Sequence, residues 1–321
     1  MVDRFQRHEV DWPSHARLVR AKGNKRSTMA VVTRIRSGLG NQLFCYAAGR
    51  ALAQRLGTSL ILDCRNPDRP VYLDRYAINA QFLRDGRCNV RDYYAKLRRR
   101  YGIVVAEIHR LFPRLTRVDG QIFRVLEERG PFTHAREFGT VKGAIYLNGY
   151  WQSFRYFDDF CSIIRAELQP KADLNEPNTR WLEAIRGRGN SICVHVRRGD
   201  YLKTGFGLCS PAYYKNAAAV MRERVGNDAT FFVFSDDLPW CRNHLPINDP
   251  VFIEGNDDDP VSELRLMAAC RHHIIANSTF SWWAAWLGHH EQQVAIAPEP
   301  WISMVSHCPD LIPGYWTKLA R

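Results

Sequence analysis

The sequence predicts an α/β protein built of two doubly wound domains facing each other across a cleft. A strand–loop–helix–strand unit occupies residues 29–63, and a second alternating series of strands and helices runs from about 191 to 297. Between them, residues 170–177 are polar, flanked by prolines, and read as a linker. A length of 321 residues suits two domains with a core each. The composition, 45% hydrophobic and 12% aromatic, excludes a disordered chain. The boundaries expected are an N-terminal extension over 1–28, a first domain over 29–170 and a second over 171–321.

Residues 1–28 mix charges with Pro13 and Gly23, show no sustained period, and carry no apolar signal core. Met29 heads the first strand and is a candidate start of translation. Ser37-Gly38-Leu39-Gly40-Asn41-Gln42 follows, and then Leu43, Phe44, Ala47, Ala48, Ala51, Leu52 and Leu56 recur at helical spacing. Asn41 is the expected N-cap of this helix and Gly57 its end, with a second strand over 59–63. Residues 65–140 show no clean alternation. A strand is expected over 144–148, ahead of Gly149-Tyr150-Trp151-Gln152. In the second series, strands are expected over 192–196, 230–234, 251–253, 273–276 and 294–297, and helices over 211–225, 260–270 and 280–287. In such sheets ligands bind at the carboxyl ends of the strands.

Charge and cysteines limit the partners. The net charge of +12 lies wholly in the first third: residues 1–120 carry 24 Lys and Arg against 10 Asp and Glu, the rest 21 against 23. Such a segment suits nucleic acid, an anionic membrane surface or a phosphorylated substrate, or is simply a solvated face. No helix-turn-helix, zinc-finger or RNP signature is present, so nucleic acid is not expected. The 9 cysteines include no C-x-x-C pair and several sit in apolar runs, which reads as buried thiols in a reducing compartment rather than disulfides or zinc ligands. The apolar run at 280–287 is far short of the ~18 residues of a membrane helix.

Four clusters at strand ends carry the chemistry. Gly38 and Gly40, after a strand and before a helix, allow close backbone approach to an anion or sugar; an ordinary turn would look the same. Leu43 stands where a dinucleotide fingerprint needs a small residue. His195-Val196-Arg197-Arg198-Gly199-Asp200 concentrates donors suited to a diphosphate, with Asp200 available to hold a guanidinium. His195 by itself reads as a core histidine. Asp236-Asp237 and Asp257-Asp258-Asp259 suggest a metal, but they serve equally as a cap and a solvated loop. Asn277-Ser278-Thr279, with Ser281, offers hydroxyls and free N–H groups at a helix start. Trp282 and Trp286 read as core, and His272-His273 and His289-His290 as structural or exposed pairs.

Together these segments resemble a known family. Gly-Leu-Gly-Asn-Gln-Leu-Phe-x-Tyr-Ala (38–47), Gly-Tyr-Trp-Gln-Ser (149–153), His-Val-Arg-Arg-Gly-Asp-Tyr-Leu (195–202) and Phe-Phe-Val-Phe-Ser-Asp-Asp (231–237) occur in order. Leu-Met-x-x-Cys-x-His-His-Ile-Ile-Ala-Asn-Ser-x-Phe-Ser-Trp-Trp-x-Ala-Trp-Leu (266–287) follows. Over roughly residues 29–300 the chain is similar to the α1,2-fucosyltransferases of glycosyltransferase family 11, except that Ser37 stands where members usually carry a further glycine.

The resemblance implies a GT-B-like fold of two facing Rossmann-like domains and GDP-β-L-fucose as donor. It also implies inversion at the fucose anomeric carbon and no obligatory metal or other cofactor. It assigns Arg197 to the β-phosphate, with Arg198 beside it, His195 to the nucleoside, and Asp200 to positioning the arginines. Ser278, Thr279 and Ser281, with Asn277, complete the donor site, and Glu263 is a guanine or ribose partner. Asn41 matches a residue near the reacting centre of protein O-fucosyltransferases. Some relatives carry a glutamate as general base five residues beyond the motif's acid, where this chain has Gly205, so the proton acceptor is left between Asp200 and a phosphate oxygen. The acceptor implied is a glycan or lipid-linked glycan, with a galactoside O2 receiving the fucose. Lacking the N-terminal anchor of animal members, the chain is expected in the cytoplasm, where the basic third could hold it at an anionic inner leaflet. Competing readings are another GDP-sugar or α1,6-fucosyl transferase, an NAD-dependent oxidoreductase, and a non-catalytic glycan- or lipid-binding protein.

Overall fold

The computed structural model describes residues 29–86, 114–128, 130–256, 259–305 and 308–321. The extension over 1–28, the run Arg98-Arg99-Arg100, Cys88, Asp257 and Asp258 lie outside these residues, so the expectations for them are not addressed.

Two six-stranded sheets form the framework. The first contains β1 (Ala30–Arg34), β2 (Ser59–Asp63), β3 (Gln81–Leu83), β4 (Arg114–Val118), β5 (Gln121–Glu127) and β6 (Ile145–Asn148), in the order β3-β2-β1-β6-β5-β4. All its pairings are parallel except β4 with β5. The second contains β7 (Ser191–Val196), β8 (Thr230–Ser235), β9 (Val251–Phe252), β10 (His272–Ile274), β11 (Ala295–Glu299) and β12 (Thr317–Ala320). Its order is β12-β11-β10-β7-β8-β9, parallel throughout. The architecture is GT-B-like, with two Rossmann-like sheets. Central strands are buried on both faces, as in β7, where all six residues are buried.

The strand order reverses between β1 and β6 in the first sheet and between β7 and β10 in the second. Open parallel sheets bind ligands at such switch points, because the two outgoing connections part there and leave a crevice. Loop 35–38 leaves β1, loop 149–153 leaves β6, loop 197–200 leaves β7 and residues 275–278 leave β10. Topology therefore brings four of the motif segments to two crevices.

The helices are α1 (Leu39–Leu56), α2 (Cys161–Glu167), α3 (Glu176–Arg186), α4 (Pro211–Val225), α5 (Leu238–His244), α6 (Pro260–Ala269) and α7 (Thr279–Leu287). Helix α1 ends at Gly57, which takes φ 60° and closes the last turn with N–H bonds back to Ala53 and Gln54. It is buried nearly all round, because its own sheet covers one side and α7 from the other half covers the next. Phe44 lies 4.6 Å from Trp282 and 5.1 Å from Trp283 between ring centroids, and Phe157 stacks on Trp283 at 5.4 Å. One apolar cluster thus runs across both halves.

Several elements differ from expectation. Helix α1 starts three residues early with Gly38 as its cap, so Asn41 lies inside the first turn and is not the N-cap. The stretch 65–140 holds β3 and the β4–β5 hairpin, whose turn Asp119-Gly120 has φ 47° and 80°. Its alternation is blurred because β4 is an edge strand carrying Arg114 and Arg117. Helix α3 begins within the expected linker, where Asn175 accepts the Asn178 N–H at 3.0 Å and Pro177 occupies the first turn. The strand β12 has no counterpart in the sequence reading. Eight cysteines lie among the described residues, all free and six of them buried.

Candidate active site

Val196 ends β7 and hands the chain to a turn that fixes both arginines. Arg197 gives Asp200 Oδ1 two hydrogen bonds, from Nε at 3.1 Å and Nη2 at 2.8 Å, and its Nη1 lies 3.1 Å from Asp236 Oδ2. The guanidinium also covers the Tyr201 ring at 5.6 Å. Among the described residues, three of its five N–H groups are therefore engaged, and two are left for a ligand. Arg198 donates from Nε to Asp237 Oδ2 at 2.9 Å and lies over Trp240 at 4.0 Å. Asp236 also accepts the Arg198 backbone N–H at 2.8 Å. A Cβ on Gly199 would sit 2.6 Å from Asp236 Oδ2, so only glycine lets the turn close on that carboxylate.

The Asp236-Asp237 pair thus holds arginines, and this explains its place at the end of β8. Asp237 also caps α5, accepting the Trp240 N–H at 3.1 Å. Asp259 caps α6 and pairs with Arg75 at 2.7 Å, joining the two halves. Among the described residues, no group of three His, Cys, Asp or Glu side chains is arranged to hold a metal ion.

Loops of the first sheet meet the start of α7. Asn41 Oδ1 accepts from Gln152 Nε2 at 2.6 Å and from Thr279 Oγ1 at 3.1 Å, while Nδ2 donates to Ser37 Oγ at 3.0 Å. One N–H of the Asn41 carboxamide is left over. Ser37 takes φ 63°, a left-handed conformation that favours glycine and strains a residue with a Cβ. Its hydroxyl is spent on Asn41, which gives the serine a purpose there.

The remaining site residues divide sharply. Ser278 caps α7, its Oγ accepting the Phe280 N–H at 3.3 Å. Thr279 faces Asn41 across the two halves. Gly38 is exposed, with open space where a Cβ would stand. Glu263 lies half-buried in the first turn of α6. His195 is buried with its ring 5.9 Å from that of Phe280 and Nδ1 without a hydrogen-bond partner among the described residues. Burial, and then the charge of Arg197, push its imidazole down to about 3, so it is neutral.

Three expected site residues are engaged within the chain itself. At Gly40 the Cα faces the α7 backbone, and a Cβ would meet Phe280 N at 2.5 Å. Asn277 is turned inward, donating to Gly207 O at 3.0 Å and accepting from Cys209 Sγ at 3.6 Å, so its side chain secures the 201–209 loop. Ser281 is fully buried and bonds back to Ser278 O at 3.2 Å, as a serine in a helix's first turns readily does. Sequence reading missed Gln152, although the Gly-Tyr-Trp-Gln-Ser segment had drawn attention to its neighbourhood, and it missed the arginine-holding role of Asp236 and Asp237.

Similarity to known proteins identifies the family. The description Glycosyl transferase family 11 matches residues 127–306. An α1,2-colitosyltransferase of Escherichia coli is 32% identical over 306 residues, covering 91% of this chain and 99% of that protein. The galactoside 2-α-L-fucosyltransferase SEC1 of Bos taurus is 30% identical over 156 residues, covering 44% of this chain and 42% of that one. Among solved structures, the fucosyltransferase NodZ from Bradyrhizobium is similar with a TM-score of 0.45 and 15% identity, over 81% of this chain and 92% of that one. By the match over 127–306 and the 32% identity along nearly its whole length, the chain belongs to glycosyltransferase family 11.

Proposed function

We propose that the chain transfers L-fucose from GDP-β-L-fucose to a hydroxyl of a glycan or lipid-linked glycan, with inversion, forming an α1,2 linkage to a galactoside O2. The observation that carries this reading is the Arg197 guanidinium, braced by Asp200 and Asp236 with two N–H groups left for a diphosphate. Breaking the bond from the anomeric carbon to the β-phosphate oxygen leaves negative charge on the diphosphate. Preorganised guanidinium donors stabilise that charge as it grows, which is the contribution a metal makes elsewhere. No metal is required in this scheme. The hydroxyls of Ser278 and Thr279 lie at the start of α7, where the helix dipole adds to the same effect.

Asn41 stands across from this group, and its remaining N–H can orient an acceptor oxygen without taking a proton. In this reading Asp200 is the clamp of Arg197, since its Oδ1 already accepts two N–H groups from it. The site lies where loops from both sheets meet, so donor and acceptor enter from different halves.

A second donor is favoured by one finding, the 32% identity to an α1,2-colitosyltransferase. Colitose is fucose without its 3-hydroxyl, so GDP-colitose would use the same arginine site. A pocket that hydrogen-bonds the 3-hydroxyl would reject the deoxy sugar by about 10⁴-fold, whereas an apolar lining there would not. Titration with GDP, UDP and NAD in EDTA, followed by transfer assays with both GDP-sugars on β-galactosides, tests the proposal. Metal-free binding of GDP alone and an α1,2-linked fucosyl product support it. Binding of NAD, or of GDP only after Mn²⁺ is restored, overturns it.

A further inference from the structure

The carboxylate of Glu128 lies just past the end of β5, beside the loop that leaves β6. Its Oε2 accepts the Tyr150 N–H at 2.7 Å, and the amides of Trp151 and Gln152 also turn toward it. Successive backbone amides thus curve around one carboxylate, and the Tyr150 N–H makes the hydrogen bond to it. The wrap needs an unusual backbone. Trp151 takes φ 56°, and a Cβ on Gly149 would sit 2.5 Å from Glu128 Cβ. A buried tryptophan at positive φ is strained, and such strain persists only where the surroundings enforce it. At the far end of the same turn, Gln152 Nε2 reaches Asn41 Oδ1 at 2.6 Å. Glu128 Oε1 is buried with no hydrogen-bond partner among the described residues, a costly feature for a side chain with no task beyond filling space.

We propose that Glu128 is a positioning residue of the transfer site: its carboxylate is the template on which the 149–152 turn folds, and through that turn it holds the Gln152 carboxamide against Asn41. A one-residue shift of this turn would swing Gln152 away and leave Asn41 tied only to Ser37 and Thr279. The freed carboxamide could then rotate, and its substrate-facing N–H would lose its direction. Burial raises the Glu128 carboxyl above its ordinary range against the pull of those amides and of Arg36. The inference rests on the reading of Asn41 as the residue that faces the acceptor.

The test compares the wild-type chain with Glu128→Gln, Glu128→Ala, Gln152→Ala and the Glu128→Ala/Gln152→Ala double variant. Two readouts are used, amide hydrogen exchange over 149–152 and transfer kinetics with donor and acceptor varied separately. Glu128→Ala is expected to open the 149–152 amides to exchange, while Glu128→Gln, whose amide oxygen can accept the same bonds, keeps them protected. In transfer, Glu128→Ala and Gln152→Ala should each lower kcat by about 10- to 100-fold with the donor KM unchanged. The double variant should be no worse than the poorer single one, because both act through one contact. Glu128→Gln should stay within about threefold of wild type.

Protected amides in Glu128→Ala overturn the proposal, as does a double variant whose loss is the product of the two single losses. A Glu128→Gln enzyme as impaired as Glu128→Ala also overturns it, because the carboxylate would then be needed for its proton affinity. If the wild-type chain transfers neither fucose nor colitose, the donor reading is what fails. The exchange comparison still decides whether Glu128 templates the turn.

Discussion

At the scale of single residues, the site is a set of side chains whose hydrogen-bonding capacity is already mostly spent. Arg197 keeps two N–H groups free because Asp200 and Asp236 take the other three, so it arrives at a ligand already oriented. Charge-assisted hydrogen bonds contribute ~1.5–3 kcal/mol each. Arg197→Ala is therefore expected to reduce turnover by roughly 10²- to 10⁴-fold, read as kcat/KM in a variant shown to be folded. Near-normal transfer would remove Arg197 from the diphosphate site. The Arg-Arg-x-Asp spacing made this residue legible in sequence. Asp236 was not legible as its partner, because adjacent aspartates at a strand end look the same whether they bind a metal, cap a helix or brace an arginine.

At the scale of elements, glycines that look alike in sequence have opposite duties. Gly38 and Gly40 belong to one motif and both suggested an anion-binding loop. Gly38 borders open space, whereas Gly40 is where α1 meets the start of α7. Gly40→Ala forces a Cβ against the backbone of Thr279 and Phe280, which cannot yield as a flexible side chain does. Overpacking of this kind costs about 1–3 kcal/mol and here would also part Asn41 from Thr279. Gly38→Ala, at φ −72° with nothing near, should change stability by less than about 0.5 kcal/mol. Thermal midpoints of the two variants check the contrast, and equal losses would contradict it. Most helices and central strands were legible because their apolar periodicity is strong. The β4–β5 hairpin was not, since an edge strand with arginines among its apolar residues has no clean period, although its Asp119-Gly120 turn was in view.

At the scale of the whole molecule, the halves are joined through an aromatic cluster between α1 and α7, the Arg75–Asp259 pair and the Asn41–Thr279 bond. The core also carries neutral histidines. His273 is fully buried between Met267 O and the Gln293 side chain, both at 3.0 Å, and burial pushes it down to about 3, as it does His195. In the unfolded chain such imidazoles take up protons from about pH 6.5 downward, but the native chain does not until about 3. The unfolded state then binds more protons, so stability is full above about pH 6.5 and declines as pH falls toward 3. Each such group removes about 1.4 kcal/mol per pH unit within that window. A denaturant midpoint that did not change between about pH 7 and about pH 4 would contradict this.

The sequence by itself determined the α/β class, most of the strand and helix positions, the family likeness and the residue types of the candidate site. Those properties follow from local periodicity and from motifs a few residues long. Only the tertiary structure decided that Gln152 and Thr279 converge on Asn41, from 111 and 238 residues away in the chain. It also decided that Asn277 and Ser281 face inward, and that Gly40 serves packing. Those outcomes depend on which strand ends meet at the two switch points and on how closely α1 approaches α7. Chain topology and side-chain volume set both, and neither is written within any single segment.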